Sequence, residues 1–298
     1  MKSIKLTTFD NKEMNVSVWD EVKEKKGAVC ISHGMAEHSE RYDRFALFLN
    51  AQGYAVLADD HRGHKYNCEG EKGKVCGDSF MQTVEDLKTV VEYAKETYGF
   101  KPIIIGHSYG SFVSQRFLEL YSDKADRAIL SGTAYMKTGL LKVGKFIANA
   151  QATCVGTDKT GKMINKMSFG AYNKPFASQG QEFAWLSRDK EEVAKYESDE
   201  FCGYALTIGF YKSFFNGVTA MYGADADNIP KDFKILIAVG SHDPVSNNAK
   251  LAKRLYDFYL AKGLTAVGYK VYDGARHEIL NEINREEVFK DFLAFIEK

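Results

Sequence analysis

The sequence predicts an α/β protein with a mostly parallel sheet and helices on both faces. Short apolar runs, such as residues 28–32 and 54–58, alternate with segments whose apolar residues recur at helical spacing. Alternation of this kind indicates parallel strands joined by helices, with functional groups at the carboxyl ends of the strands. The apolar fraction of 45% in 298 residues is enough to fill one sizeable core.

The predicted elements follow one another in a regular order. Residues 4–8 and 14–19 alternate with the two-residue period of strands, and a turn signal at 10–12 predicts an antiparallel hairpin. Short apolar runs then predict buried strands, which bring the total to eight, at 28–32, 54–58, 103–105, 127–131, 234–239 and 269–272. Helical periodicity predicts helices around 42–49, 84–94, 112–118, 251–259 and 285–298.

Residues 136–228 break this alternation. They contain no clear buried strand, their glycines are scattered, and aromatic and methionine residues are frequent. We interpret them as a mainly helical insertion between a first core part at 1–135 and a second core part at 229–298. Because no repeat, low-complexity tract or linker is found, we expect the insertion to sit on the core as a cap or lid.

Composition narrows the class of function. Forty Lys and Arg balance forty Asp and Glu, so no net field favours nucleic acid as a partner. Residues 1–20 are charged throughout, and no run of eighteen apolar residues occurs, which predicts a cytoplasmic protein. The five cysteines are odd in number and widely spread, which argues against a disulfide framework, and Cys30 is expected to be a buried strand residue. No pattern indicates an oligomeric state.

A Gly-x-Ser-x-Gly sequence occupies residues 106–110, between a predicted strand and a predicted helix. In this context it predicts a nucleophile elbow, a sharp turn that holds the serine hydroxyl clear of its neighbours. Ser108 is therefore the candidate nucleophile. Gly106 and Gly110 are expected because a side chain at either position would collide across the turn.

A serine hydroxyl needs a base, and the base needs a carboxylate to fix its tautomer. His277 follows the last predicted strand, where a loop can reach the elbow, and is the candidate base. Asp243 follows the strand at 234–239 in the same way and is the preferred acid. Asp273 is an alternative that is more typical of a turn, and Asp243 also fits the N-cap of a helix beginning near Pro244.

Attack on a carbonyl produces an oxyanion, which two backbone N–H groups can stabilise. One is expected from Tyr109, the residue after the nucleophile, and the other from Met35 in the loop after the strand at 28–32. Glu37, Arg41 and His61 are interpreted as a polar network that braces this loop.

Histidine spacing offers an alternative, a metal site. His61 and His64 are three residues apart, and His33 and His38 are also close. No HExxH helix and no third ligand at suitable spacing accompanies them, so structural polar contacts are preferred and no metal or cofactor is predicted.

Five segments resemble the motif set of a known family: residues 33–42, 59–64, 106–110, 240–245 and 274–278. They are similar to the monoacylglycerol lipase and lysophospholipase branch of the α/β-hydrolases, also called the serine aminopeptidase S33 or Hydrolase_4 type. The resemblance implies the α/β-hydrolase fold, Ser108, Asp243 and His277 as the catalytic triad, and Met35 and Tyr109 as the oxyanion amides. One departure is the sequence at 65–67, where relatives usually have Gly followed by Ser.

The resemblance also implies a function. It implies a serine hydrolase that cleaves small-molecule carboxylic esters through an acyl-enzyme, as a monoacylglycerol lipase, lysophospholipase or carboxylesterase. An aminopeptidase-type amide hydrolase stays open, with Glu191 and Glu192 as the candidate group for a substrate amine. A ligand-binding protein of the same fold without useful turnover stays open as well.

Residues 140–147 mix aliphatic residues and lysines. This composition is typical of a surface that contacts a membrane or micelle transiently, and equally of a lid helix packed on the core.

Overall fold

The computed structural model describes residues 1–68 and 70–298, and all side chains among them except those of Leu140, Ser168 and Phe169. Its strands are β1 (Lys2–Thr7), β2 (Glu13–Trp19), β3 (Gly27–Ser32), β4 (Tyr54–Asp59), β5 (Ile103–His107), β6 (Arg127–Ser131), β7 (Lys234–Gly240) and β8 (Val267–Tyr272). Its α-helices are α1 (Asp43–Ala51), α2 (Ser79–Tyr98), α3 (Tyr109–Tyr121), α4 (Gly139–Val155), α5 (Lys162–Asn173), α6 (Lys190–Ser198), α7 (Ile208–Ala220), α8 (Lys250–Ala261) and α9 (Arg285–Ile296).

All of these strands form one eight-stranded sheet in the order β1-β2-β4-β3-β5-β6-β7-β8. β2 pairs antiparallel with β1 and β4, and every other neighbouring pair is parallel. The predicted α/β-hydrolase sheet, with its antiparallel hairpin at the start, is confirmed. Because β5 lies between β3 and β6, the loops that follow β3 and β5 leave the same edge of the sheet side by side.

Helices cover both faces because successive side chains of the central strands point to opposite sides. Ile104 of β5 packs in the core formed with α2, α3 and α8. Ile103 and Ile105 pack in the core formed with α1 and α9. Cys30 is fully buried within β3, as predicted.

The chain between β6 and β7 contains α4, α5, α6 and α7, and its described residues add no strand to the sheet. α7 packs directly on α2, and a Cβ at Gly217 would lie 2.0 Å from the Phe80 ring. The backbone N–H of Phe80 also donates to Ser213 Oγ at 2.9 Å. The insertion therefore rests on the core through close contacts. Within the described ranges, no helix is both long enough and apolar enough to cross a membrane.

Candidate active site

Ser108 stands at a sharp turn between β5 and α3. Its φ of 50° and ψ of −116° lie in a region that L-residues seldom adopt and that is costly unless the surroundings enforce it. The backbone N–H of Ser108 donates to the carbonyl of Ser131 at 3.0 Å, and its carbonyl accepts from Ser111 at 2.9 Å. These bonds hold the strained turn from both sides.

The turn has no room for a side chain at either of its two glycines. A Cβ at Gly106 would lie 2.3 Å from Ser114 Oγ, and a Cβ at Gly110 would lie 2.0 Å from the carbonyl oxygen of Ser32. The second contact also shows that the elbow packs directly against the end of β3, where the predicted oxyanion loop begins.

Asp243 and His277 are joined by a hydrogen bond. His277 Nδ1 lies 2.9 Å from Asp243 Oδ1, and both residues are at most 1% exposed. Because an ionised carboxylate only accepts, Nδ1 carries the proton and Nε2 presents its lone pair. This is the tautomer that a general base requires.

The two candidate acids, Asp243 and Asp273, lie in different surroundings. The side chain of Asp243 accepts the N–H of Val245 at 2.9 Å, which closes a turn, and α8 begins only at Lys250. The N-cap interpretation of Asp243 is therefore wrong. Asp273 is exposed and accepts from Ser241 Oγ at 3.3 Å, as expected of a turn residue.

His277 Nε2 has no hydrogen-bond partner among the described residues, so the structure contains no bond between it and Ser108. The residue before the nucleophile nevertheless contacts the base, since the rings of His107 and His277 lie 4.8 Å apart. In ligand-free sites the nucleophile–base hydrogen bond often forms only when substrate binds. The structure thus joins Asp243 to His277 and brings the elbow beside them.

The loop that contains Met35 is fixed at the residues on either side of it. The N–H of Gly34 donates to the Glu37 carboxylate, and the N–H of Ala36 donates to His64 Nε2 at 3.0 Å. Tyr109 is the first residue of α3, where a backbone N–H has no acceptor within the helix. Met35 therefore lies between two amides that are hydrogen-bonded, and the Tyr109 amide has no acceptor within its own helix.

Glu37 and Arg41 form an ion pair, as expected of the bracing network. Glu37 also accepts from the Tyr42 hydroxyl at 2.9 Å, and the Arg41 guanidinium also donates to the Glu278 carboxylate. Burial alone would raise the pKa of Glu278, but Arg41 lowers it to about 2. Both carboxylates therefore share the guanidinium of Arg41 as their cationic partner.

His61 lies outside this ion-pair network and forms its own contacts. Its Nδ1 lies 2.9 Å from Asp59, and its Nε2 lies 3.0 Å from the carbonyl of His33. Burial opposes the charged imidazole, but Asp59 outweighs it and raises the pKa of His61. The histidines with metal-like spacing thus make structural polar contacts that support the loop after β3.

One group of metal-binding residue types was not anticipated. His38, Asp199 and Cys202 have ligand atoms within 4.8 Å of one another. Lys65 Nζ, however, lies 3.3 Å from the other ring nitrogen of His38, and its positive charge opposes a bound cation. We therefore attach no metal chemistry to this group.

A cavity of about 500 Å³ lies away from the triad, beside Arg62 and Cys68. Arg62 is already paired there with Asp10 at 2.7 Å and with Asp86 at 2.6 Å. The cavity therefore presents satisfied ion pairs and none of the reacting groups.

Sequence reasoning missed the roles of Arg276 and Glu278. Each flanks His277, and each is at most 7% exposed despite its charge. Charged residue types on both sides of a candidate base are a signal that could have identified them.

The family described as Hydrolase_4, serine aminopeptidase S33, matches residues 23–284. A monoacylglycerol lipase of Mycolicibacterium smegmatis is 28% identical over 288 residues, which cover 94% of this chain and 91% of that protein. The monoglyceride lipase of Homo sapiens is 26% identical over 283 residues, covering 93% of this chain and 84% of that protein. Among solved structures, a thermostable carboxyl esterase from Bacillus coagulans, in complex with glycerol, has a TM-score of 0.91 at 24% identity. The aligned part covers 99% of this chain and 97% of the esterase chain.

Proposed function

Because the chain belongs to the Hydrolase_4 family of serine aminopeptidase S33 proteins, we propose that it is a serine hydrolase that cleaves carboxylic esters through an acyl-enzyme. The observation that carries the proposal is the 2.9 Å bond between Asp243 and His277, which leaves Nε2 ready to accept a proton beside the elbow. The similarity to monoacylglycerol lipases and a carboxyl esterase supports an ester as the substrate.

In the first half of the reaction, Ser108 Oγ attacks the ester carbonyl and its proton passes to His277 Nε2. Asp243 stabilises the imidazolium that forms, without itself taking the proton. The carbonyl oxygen becomes an oxyanion, for which the N–H groups of Met35 and Tyr109 are the donors. Removing one such donor typically costs about 10²–10³ in rate.

Collapse of this intermediate breaks the bond to the alcohol. His277 gives its proton to the leaving oxygen, and the acyl group stays on Ser108 as an ester. Water then attacks in the same way. His277 Nε2 takes a proton from the water as the water oxygen bonds to the acyl carbon. The bond to Ser108 Oγ then breaks, His277 returns the proton to Oγ, and the carboxylic acid leaves.

We assign to residues 136–228 the role of a cap over this site. Trp185 of the insertion lies 5.0 Å, ring to ring, from His277, and Tyr172 lies 5.2 Å from Trp185. Aromatic side chains next to the base form an apolar wall that suits an acyl ester. A monoacylglycerol, a lysophospholipid or a short- to medium-chain ester fits this description.

The amide alternative receives less support. An aminopeptidase would need a free acidic group to bind the substrate amine. Glu192 already pairs with Arg44 at 2.7 Å and with Lys195 at 2.8 Å, and Glu191 is exposed at the start of α6. Of the predicted acidic pair, Glu192 is thus already paired with two cations and Glu191 lies at the surface.

The outer face of the insertion is suited to contact with lipid. Val143, Phe146, Met163 and Met167 are 52%, 74%, 48% and 53% exposed, and lysines lie between them on α4 and α5. Leu140, in the predicted stretch, has its side chain outside the described residues. Apolar side chains among lysines favour an anionic membrane or micelle surface. We expect Phe146→Ser to weaken binding to vesicles that contain anionic lipid, whereas Phe100→Ser, at an exposed phenylalanine elsewhere, should not.

The proposal is tested with acyl esters from short to long chains, including monoacylglycerols, and with the Ser108→Ala variant alongside. We expect turnover by the wild type only, and labelling of Ser108 alone by a fluorophosphonate that reacts with activated serines. If the wild type turns over no ester above the Ser108→Ala background, the ester-hydrolase proposal fails. Amide hydrolysis would then favour the peptidase alternative, and ligand binding without turnover would favour the non-enzymatic one.

A further inference from the structure

Arg276, the residue before the base, directs its side chain into the insertion. It is 7% exposed, and its Nη1 donates to the carbonyl oxygens of Ala184 and Ser187, the latter at 2.9 Å. Nη1 also lies 3.0 Å from Gln179 Oε1, and the guanidinium packs 4.2 Å from the centre of the Phe176 ring. All four partners belong to the insertion.

Burial of the Arg276 guanidinium costs free energy that its hydrogen bonds must offset. A buried guanidinium bound by neutral oxygens loses its hydration and gains no carboxylate partner in the insertion. It is therefore tolerated only while its hydrogen bonds are all made. Movement of residues 184–187 away from Arg276 would leave a buried positive charge unsatisfied, so the segment is held in place.

The same segment touches the base itself. The N–H of His277 donates to the carbonyl of Trp185 at 3.4 Å, and the N–H of Glu278 donates to that of Leu186 at 2.8 Å. With the Trp185 ring packed on the imidazole, residues 184–187 form one wall against which His277 is oriented.

Glu282 closes the arrangement from the other side. It is fully buried and accepts the N–H of Arg276 at 2.9 Å and the N–H of Arg188 at 3.1 Å. Arg188 Nε adds a charged bond to Glu282 at 2.8 Å. One carboxylate therefore binds the backbone of the core at Arg276 and the backbone of the insertion at Arg188.

We infer that Arg276 is a positioning residue that binds residues 184–187 of the insertion and thereby fixes the insertion and the imidazole of His277 as one unit. The inference rests on the proposed function in taking His277 as the base. It implies that residues 184–187 are a fixed part of the site and do not open to admit substrate.

The first test compares Arg276→Met with a matched control, Arg285→Met. Arg285 also joins the core to the insertion, through Asp189 at 2.8 Å, but among the described residues its side-chain hydrogen bonds go to Asp189 and the Glu282 carbonyl and not to residues 184–187 or His277. With an acetate ester, which is too small to need the cap's lining, we expect Arg276→Met to lower kcat by about 10- to 100-fold, as for small misplacements of a reacting group. KM should change little, and Arg285→Met should keep the kcat of the wild type.

The second test does not depend on catalysis. The chain has two tryptophans, Trp19 and Trp185, which are 1% and 3% exposed, so acrylamide should quench the wild-type fluorescence weakly. Arg276→Met should increase quenching, and adding Trp185→Phe should remove the increase. Arg276→Lys keeps the charge but not the planar guanidinium. Its quenching should lie between that of the wild type and that of Arg276→Met.

Unchanged quenching and unchanged kcat in folded Arg276→Met would overturn the inference, as would equal effects in Arg285→Met. If Arg276→Met does not fold, the same two readouts in Arg276→Lys decide the question. If the wild type hydrolyses no ester, the proposed function fails, while acrylamide quenching still reports whether Arg276 holds residues 184–187.

Discussion

The guanidinium of Arg41 and the carboxylate of Glu278 form two parallel hydrogen bonds, Nη1 to Oε1 and Nη2 to Oε2, each 2.7 Å long, across 237 positions of the chain. Arg41 also pairs with Glu37, whose carboxylate holds the N–H of Gly34. A single side chain therefore connects the loop that contains Met35 to the loop that contains His277.

Arg41→Met should destabilise the fold strongly, because it leaves two carboxylates buried without their partner. The side chains of Glu37 and Glu278 are 4% and 6% exposed, and breaking such a pair from one side costs about 3–5 kcal/mol. Urea unfolding measures the loss. Arg44→Met is the control, since Arg44 is 41% exposed and Glu192 keeps Lys195 as a partner, so the loss should be less than about 1 kcal/mol. Equal losses in the two variants would show that the network does not brace the loops.

Asp243→Asn should lower kcat by about 10⁴ while the fold is retained, because the amide no longer fixes Nδ1–H on His277. Asp273→Asn is the control, as Asp273 is exposed and bonds only to Ser241 among the described side chains. Steady-state kinetics with one ester, together with circular dichroism, would check the expectation. Similar activities for the two variants would contradict the assignment of the acid.

Gly110→Ala should destabilise the protein by about 3 kcal/mol or more, beyond ordinary overpacking, because the new Cβ would meet the Ser32 carbonyl at 2.0 Å and backbone cannot move aside easily. Gly139→Ala is the matched control. A Cβ there meets no atom of the described residues within 4 Å, and the stability should change by less than about 1 kcal/mol. Thermal unfolding of both variants separates the outcomes, and a stable Gly110→Ala protein would refute the packing described for the elbow.

His107 should make stability depend on pH. Burial, and then the neighbouring His277, lower its pKa from 6.5 to about 4 in the folded protein. As pH falls through this range the unfolded chain binds a proton and the folded protein does not, so stability is present above 6.5 and is lost toward about 4. At about 1.4 kcal/mol per pKa unit, the loss amounts to about 3 kcal/mol.

His107→Gln should therefore gain stability relative to the wild type between neutral pH and about pH 4. Denaturant unfolding at the two pH values measures the gain, and His242→Gln, at an exposed imidazole, serves as the control. A difference between His107→Gln and the wild type that does not change with pH would contradict the buried, neutral state of His107.

Much of the core could be predicted from the sequence because its signals are local. Two-residue alternation predicted the first two strands and apolar runs predicted the other six, and β6 (Arg127–Ser131) begins and ends as expected. The face of Phe45, Ala46 and Leu49 is the buried face of α1. The elbow was recognisable because turn chemistry and flanking periodicity agree within a few residues.

The remainder depends on partners that periodicity does not reveal. Glu278 meets Arg41 only after the sheet is assembled, and Arg276 binds carbonyl oxygens, which every residue carries and no pattern marks. The ends of the predicted strands identified Asp243 and His277 as candidates, whereas the hydrogen bond between them could be seen only in the folded structure. The cytoplasmic location and the cap boundaries at 136 and 228 stay predictions.

The insertion leaves the sheet at β6 and returns at β7, and these two strands are direct neighbours. Its length can therefore change without altering the register of any strand pair, and the entropy cost of a longer connection grows only slowly. Residues between β6 and β7 can thus be exchanged or lengthened as one segment while the pairing of all eight strands is kept. A changed segment would still have to place carbonyl oxygens next to Arg276, where those of Ala184 and Ser187 lie.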